Sequence, residues 1–478
     1  MKQTNTRSFF HHFLVLGAGT ALYFLVGLVG TPIITRLVSP EAYGTRSMLS
    51  LYSQLGLVLC GLGLDQTLVH HYYDEPDDAG RKALLHTCFR IPMVAAAALG
   101  GILLLFARLC RSTALLPSLM LLTGNVLALL LYRYSTLALR LRYHSRAYST
   151  VQIVQKAGSI LLSVLLVLTV RRHHGELLIL ASIISTVFAA ALGMFLEADL
   201  WHWEPDQTSR ITRKAMLAYG GPVMVAAGLH MAFQSMDRLF LDHFCTRSDV
   251  GVYAGAMNLI AVFSVLQTAF TTLWTNAAID YHTHHPEDPG FFQAGNAAIS
   301  VLMLGFGALV VLCKDLIVLF LGPQYQAASA LLPLLMFEPI LYTISETTAV
   351  GIAIQKKPRY SVVVSAVSCL VNFAGNLVLA PVWGAWGAAA STAFAYVVFF
   401  VVRTACSQRV FPVRYKLPQF AVSLSALAAF AIYGSTHSFH WIQIPMFLVV
   451  ILILFLSYRT DILRLLQHAV HRLVRKKE

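Results

Sequence analysis

Charge is scarce in this sequence. Asp, Glu, Lys and Arg make up 12% of its 478 residues, about half the share of a soluble globular domain. Hydrophobic residues make up 57%, which leaves too little polar surface to coat a water-soluble core of this size. The two or three soluble domains that length alone would suggest are therefore excluded. Long polar connections are lacking too. The longest is about 16 residues, too short for the soluble catalytic region or acidic cluster that a membrane-embedded glycosyltransferase or polymerase needs. There is no Walker A sequence, no dinucleotide fingerprint, no H-E-x-x-H and no G-x-S-x-G. Cys60, Cys88, Cys110, Cys245, Cys313, Cys369 and Cys406 form no C-x-x-C pair and lie mostly within or beside apolar runs. Neither a metal site nor a disulfide framework is indicated, and no cofactor is expected. The His pairs 11–12, 70–71, 173–174 and 284–285 fall at the ends of apolar runs. Helical neighbours point about 100° apart, so these pairs suit a membrane interface better than joint ligation of a metal.

Long apolar runs are what the chain does have. They are continuous rather than alternating, which favours helices over a closed barrel as the way to satisfy the backbone in lipid. Fourteen candidate spans fall near 9–37, 43–70, 83–107, 113–138, 148–170, 176–198, 215–245, 250–279, 291–313, 326–354, 360–381, 386–405, 418–434 and 441–457. The first run is too long for a signal-peptide core and lacks a convincing cleavage site, so it reads as a span. The expected fold class is all-α, a polytopic membrane protein of about 14 transmembrane helices. Pro32, Pro92, Pro222 and Pro339 lie inside these runs, where membrane helices often bend.

The formal net charge of +13 does not indicate a nucleic-acid partner, because the cations sit in short clusters between apolar runs. Counting Lys and Arg by side gives 23 against 8. The richer side holds both termini and the connections at 71–82, 139–147, 199–214, 280–290, 355–360 and 406–417, so both termini should be cytoplasmic. The basic tail from His468 to Glu478 suits anionic lipid headgroups.

Two stretches resemble each other. T-P-I-I-T-R-L-V-S-P-E-A-Y-G ends at Gly44, and R-L-F-L-D-H-F-C-T-R-S-D-V-G ends at Gly251. They lie between spans 1 and 2 and between spans 7 and 8, as two six-helix halves of parallel topology require. The same residues carry a family resemblance. The stretch from Pro32 to Tyr73, including G-L-G-L-D-Q-T-L-V-H-H-Y-Y, resembles the N-terminal signature of polysaccharide-biosynthesis flippases. M-D-R-L-F-L-D-H-F with D-V-G-V-Y-A-G-A-M is similar to their seventh and eighth helices, and F-L-G-P-Q-Y-Q-A-A-S-A-L-L-P (320–333) to the approach to their tenth. The resemblance implies membership of the multidrug/oligosaccharidyl-lipid/polysaccharide exporter superfamily. It implies two six-helix lobes around a central cavity, residues 1–199 and 200–410, with two added helices and a basic tail over 411–478. It also implies a flippase of the bacterial cytoplasmic membrane, moving an undecaprenyl-diphosphate-linked glycan outward by alternating access. Polysaccharide polymerases or glycosyltransferases would be its protein partners. Lipid II or a cationic drug are the alternative cargoes within the same architecture, and the added helices line a lipid-tail groove in lipid II flippases, by analogy only.

Ionisable groups inside spans need a partner or a wet cavity. Lys156, flanked by Gln152 and Gln155, either neutralises a substrate diphosphate, the two glutamines meeting sugar hydroxyls, or snorkels to the interface. Arg90 and Arg133 lie nearer the cytoplasmic helix ends, where snorkelling competes with a cavity role. Asp237 and Arg238 form a structural ion pair or meet substrate, and Asp65 belongs to the same buried set. Glu338 and Glu346 share one helix side; they couple transport to a proton or sodium gradient, or they tie helices together. Asn372 and Asn376, at i, i+4 spacing, read as helix glue rather than as sugar contacts.

Overall fold

Where the apolar runs form helices, glycine more than proline decides where those helices break. A computed structural model describes residues 6–112, 115–170, 172–202, 209–355, 357 and 359–475. The chain divides into two compact units, Met1–Ser235 and Met236–Glu478. Among the described residues, eleven helices are long and apolar enough to cross a membrane, or twelve if one bent pair counts as a single span. Large side chains such as Leu161, Phe195 and Leu370 are 72%, 76% and 69% exposed. Lipid is the solvent that such an exterior requires. The chain is a multi-pass, all-helical membrane protein.

The first unit holds α1 (Thr6–Leu37), α2 (Pro40–Gly61), α3 (Leu64–His71), α4 (Asp78–Leu109), α5 (Leu116–Leu141), α6 (Ser145–Thr169), α7 (His174–Leu196) and α8 (Ala198–Trp201), with most of α9 (Arg213–Phe244). Ser39 caps α2, accepting from the Ala42 N–H ahead of Pro40, and Asp77 caps α4 through the Gly80 N–H. The predicted span 43–70 is the bent pair: α2 and α3 meet at 53°. Leu62 and Gly63 at the bend have φ of 52° and 67°. Gly63 also abuts the Gly220 carbonyl of α9, where a Cβ would collide. Pro32, Pro92 and Pro222, by contrast, lie inside continuous helices.

Small residues bring the helices of this unit together. Gly27 and Gly30 of α1 receive Lys156 and Ile160 of α6, and Gly158 of α6 faces Ser185 of α7. Ser135 of α5 donates to the Ala190 carbonyl of α7 at 3.0 Å. One end is tied by polar contacts between connections. Lys82 and Arg142 reach Asp199 at 3.0 and 3.1 Å, and the Tyr73 hydroxyl donates to the Leu141 carbonyl at 2.9 Å. Glu197 pairs with His144. Buried Glu75 accepts from the Ser209 hydroxyl at 2.5 Å and the Arg210 N–H at 2.9 Å.

The second unit completes α9 and adds α10 (Arg247–His284), α11 (Gly290–Leu312), α12 (Lys314–Val318), α13 (Ala328–Leu335), α14 (Phe337–Thr348), α15 (Val350–Ile354), α16 (Arg359–Gln408), α17 (Leu417–Thr436) and α18 (Gln443–Arg475). Thr246 and Asp249 form a reciprocal capping box on α10. The predicted span 326–354 is segmented into α13, α14 and α15, with Pro339 in the first turn of α14. The 50-residue α16 contains both predicted spans 360–381 and 386–405; Gly384, at φ 56° and ψ −136°, leaves the helical region between its two arms. Gly375 and Gly387 allow the arms to approach, facing Ser391 and the Leu379 carbonyl. Trp274, Phe292, Val350, Val413 and Tyr415 form a core at one end. Lys314, at the start of α12, is buried and bonded to Asp315 at 2.9 Å. Asp315 in turn accepts from the Phe439 N–H at 2.8 Å, joining α12 to the α17–α18 connection.

Candidate functional site

Lys156 projects from α6 toward α1. Its ammonium lies 5.4 Å from the centroid of the Tyr23 ring, and its stem fills the space above Gly27. The two glutamines around it turn elsewhere. Gln152 donates to the Tyr148 hydroxyl at 3.0 Å, and Gln155 to the Thr186 hydroxyl of α7, also at 3.0 Å. In each case the amide nitrogen is the engaged group. Arg133 of α5 is not a lone snorkelling cation. Its Nε and Nη2 donate to Asp65 Oδ2 of α3 at 3.1 and 2.7 Å. The pair borders a cavity of ≈ 230 Å³ lined also by Gln66, Tyr134, Val223 and Met224. Arg90, on α4, is exposed and makes no ion pair among the described residues.

In the second unit Asp237 is 6% exposed. Its carboxylate accepts from the Tyr253 hydroxyl at 2.5 Å, the Thr392 hydroxyl at 2.7 Å and the Asn376 amide at 2.8 Å. No Lys, Arg or His pairs with it among the described residues, so the expected ion pair with a cation is replaced by a cage of neutral donors from α10 and both arms of α16. The Asn376 amide also donates to Asn372 Oδ1 at 2.6 Å, and Ser391 donates to the same atom at 3.0 Å. The helix-glue reading of Asn372 and Asn376 thus describes only part of what they do; they also complete the shell of a carboxylate. Arg238 is half-buried, within electrostatic reach of Asp237 and Glu338.

Glu338 and Glu346 both face the second arm of α16. The Tyr396 hydroxyl donates to Glu338 at 3.0 Å, and Arg403 meets Glu346 at 2.9 Å. Arg403 also donates to the Ser345 hydroxyl at 2.7 Å and lies over the rings of Tyr342 and Phe399. This corner borders a second cavity, ≈ 250 Å³, with Thr275, Lys357 and Ser361.

Residues 33–330, more than half of the chain, match the model of a family described as polysaccharide biosynthesis protein. The chain belongs to that family. A comparison with curated proteins finds no match. Among solved structures, the chain is similar to the lipid II flippase MurJ in an inward closed conformation, at TM-score 0.68 and 13% identity, over 96% of this chain and 100% of that one. It is also similar to the Vibrio cholerae MATE transporter VcmN, at TM-score 0.51 and 14% identity, covering 84% and 95%. A multidrug resistance MATE family transporter of the MOP superfamily, in its inward-facing conformation, gives 0.55 and 13% over 85% and 95%. At such identities these likenesses establish the fold, which is MATE- and MurJ-like.

Three members of these polar clusters in this polysaccharide biosynthesis family member escaped the sequence reading. Arg403, five residues before the end of α16, is half-buried and paired with Glu346. Tyr253 and Thr392 carry no charge to flag them, and only folding brings them to Asp237. A useful signal would have been Asp237 itself: a membrane carboxylate demands donors from other helices.

Proposed function

We propose that the protein is a flippase that carries a polyprenyl-diphosphate-linked oligosaccharide from the inner to the outer leaflet in polysaccharide biosynthesis, and that its work is transport rather than catalysis. The observation that carries this reading is the conjunction of a family match over residues 33–330 with a lipid-flippase fold over 96% of the chain. We read fourteen crossings, counting the α2–α3 pair, α10, α13–α15 together and each arm of α16 as one span apiece. Six and six form the repeat halves, near 1–199 and 200–410, with α17 and α18 added. Both termini face the cytoplasm of a bacterial inner membrane. Substrate arrives lipid-linked from glycosyltransferases, and a polymerase receives it.

In this reading Lys156 and Arg90 of the first unit, and separately Arg238 of the second, offset the diphosphate charge during passage while the lipid tail stays in the bilayer. Arg133 is available only when Asp65 releases it, so that pair works as a gate. Asp237 is the coupling group: a carboxylate whose hydrogen bonds come from neutral hydroxyls and an amide holds a proton, or a sodium ion through oxygen ligands. The unpaired Asn376 Oδ1 beside it supports the cation alternative. Glu338, hydrogen-bonded to Tyr396 and close to Arg238, relays to it.

Reconstitution with a fluorescent polyprenyl-diphosphate sugar tests the proposal, reading arrival in the outer leaflet with and without an ion gradient. Flipping that falls at least about ten-fold in Lys156→Ala, with thermal unfolding unchanged, supports the reading. Export of a cationic dye with no flipping would replace it. Lipid II is the second cargo to include, because the MurJ chain is matched over 100% of its length and the two MATE chains over 95%.

A further inference from the structure

We infer that the cavity bordered by Arg403 and Lys357 in the second unit is a binding pocket for a phosphate-bearing anion, with Glu346 as its built-in competitor. Its ≈ 250 Å³ is several times the ~30 Å³ share of a water molecule, enough for a diphosphate. Four contacts fix the guanidinium: Glu346, the Ser345 hydroxyl, and the faces of Tyr342 and Phe399 at 5.3 and 5.4 Å. A planar fork so oriented suits phosphate oxygens, and its Nε donor is engaged by none of these contacts. Lys357 supplies a second cation with no ion pair among the described residues, and the Thr275 and Ser361 hydroxyls add donors. Two cations face one carboxylate, so the lining is net positive. Ser361 is exposed, which puts the mouth at the end of the unit where α15 gives way to α16.

An ion pair kept only to tie α14 to α16 would not need Lys357 or an open cavity. The two roles separate by the sign of one substitution. Glu346→Gln keeps a hydrogen-bond acceptor for Arg403 but removes the competing charge. It should tighten anion binding, whereas a structural tie would show only lost stability.

The test is calorimetric titration of the full chain with sodium diphosphate in maltoside micelles, which carry no phosphate. Binding should weaken roughly ten-fold in Arg403→Gln and in Lys357→Gln, and tighten roughly ten-fold in Glu346→Gln. Lys357 lies at the rim, so its variant keeps the test valid if Arg403→Gln fails to fold. The same titration in nanodiscs identifies the source. Binding that survives in phosphatidylglycerol discs supports a pocket for a soluble or cargo diphosphate. Binding suppressed there but intact in phosphatidylcholine discs supports a pocket occupied by the bilayer's own headgroups. No binding by the wild type, or affinity unmoved by all three substitutions, overturns the inference. Diphosphate binding without flipping removes the flippase reading and leaves the pocket; flipping with the three affinities unmoved does the reverse.

Discussion

Gly63 combines two demands that no other residue meets. Its φ of 67° suits glycine, and a Cβ there would run into the Gly220 carbonyl. Gly63→Ala should therefore cost about 2–5 kcal/mol, the sum of left-handed strain and overpacking. Gly61→Ala, whose Cβ meets nothing within 4 Å, is the control, and thermal unfolding in detergent compares them. Asp199 makes a different claim. Hydrogen bonds from Lys82 and then Arg142 hold its carboxyl below the usual carboxylate range. A depressed folded pKa contributes stability above the unfolded value, about 3.9, and that contribution is lost as pH falls through the folded one. Asp199→Asn should thus unfold at lower temperature than the wild type near neutral pH, with the gap closing as pH drops below about 4. A gap independent of pH would assign the effect to something other than the charge.

At the scale of helices, the apolar runs anticipated long helices because hydrocarbon thickness sets their length, but where fourteen spans were expected, eleven helices among the described residues, or twelve with the bent pair, are long and apolar enough to cross. The breaks were less legible. Hydropathy is blind to the turn made by Leu62 and Gly63, since that stretch is apolar on either side, whereas the break at Gly384 falls between the predicted spans 360–381 and 386–405. Pro32, Pro92 and Pro222, the positions expected to mark bends, each lie inside a helix without a break, as membrane helices tolerate. The candidate site was legible as a set of charges and not as a set of partners. Asp65 and Arg133 meet across 68 positions, and Asp237 finds its donors 16, 139 and 155 positions away. Thr392→Val removes one of those donors while keeping the shape of the side chain. It should destabilise the second unit by about 1.5–3 kcal/mol, the range for a hydrogen bond to a charged group. If Asp237 is the coupling group, the same variant alters the ion dependence of transport. Lost stability with unchanged ion dependence would leave Asp237 a structural carboxylate.

For the whole molecule, orientation is the property on which every transport statement depends, and it rests on the asymmetry of 23 cations against 8. The first unit allows a direct check. Its connections at 71–82 and 139–147 are drawn with Asp199 into one polar end. The 32 residues of α4, about 48 Å of helix, separate that end from the connection that holds Cys110. Cys110 is exposed, while Cys60, Cys88 and Cys406 are buried. With the N-terminus inside, the third crossing delivers Cys110 to the outer face. A membrane-impermeant maleimide added to right-side-out vesicles should label the wild type, and Cys110→Ser should remove most of that label. Labelling of Cys110 that requires permeabilisation would invert the whole chain. It would turn the basic connections and the mouth of the Arg403 pocket outward, and an inner-leaflet diphosphate could no longer be the first ligand that pocket meets.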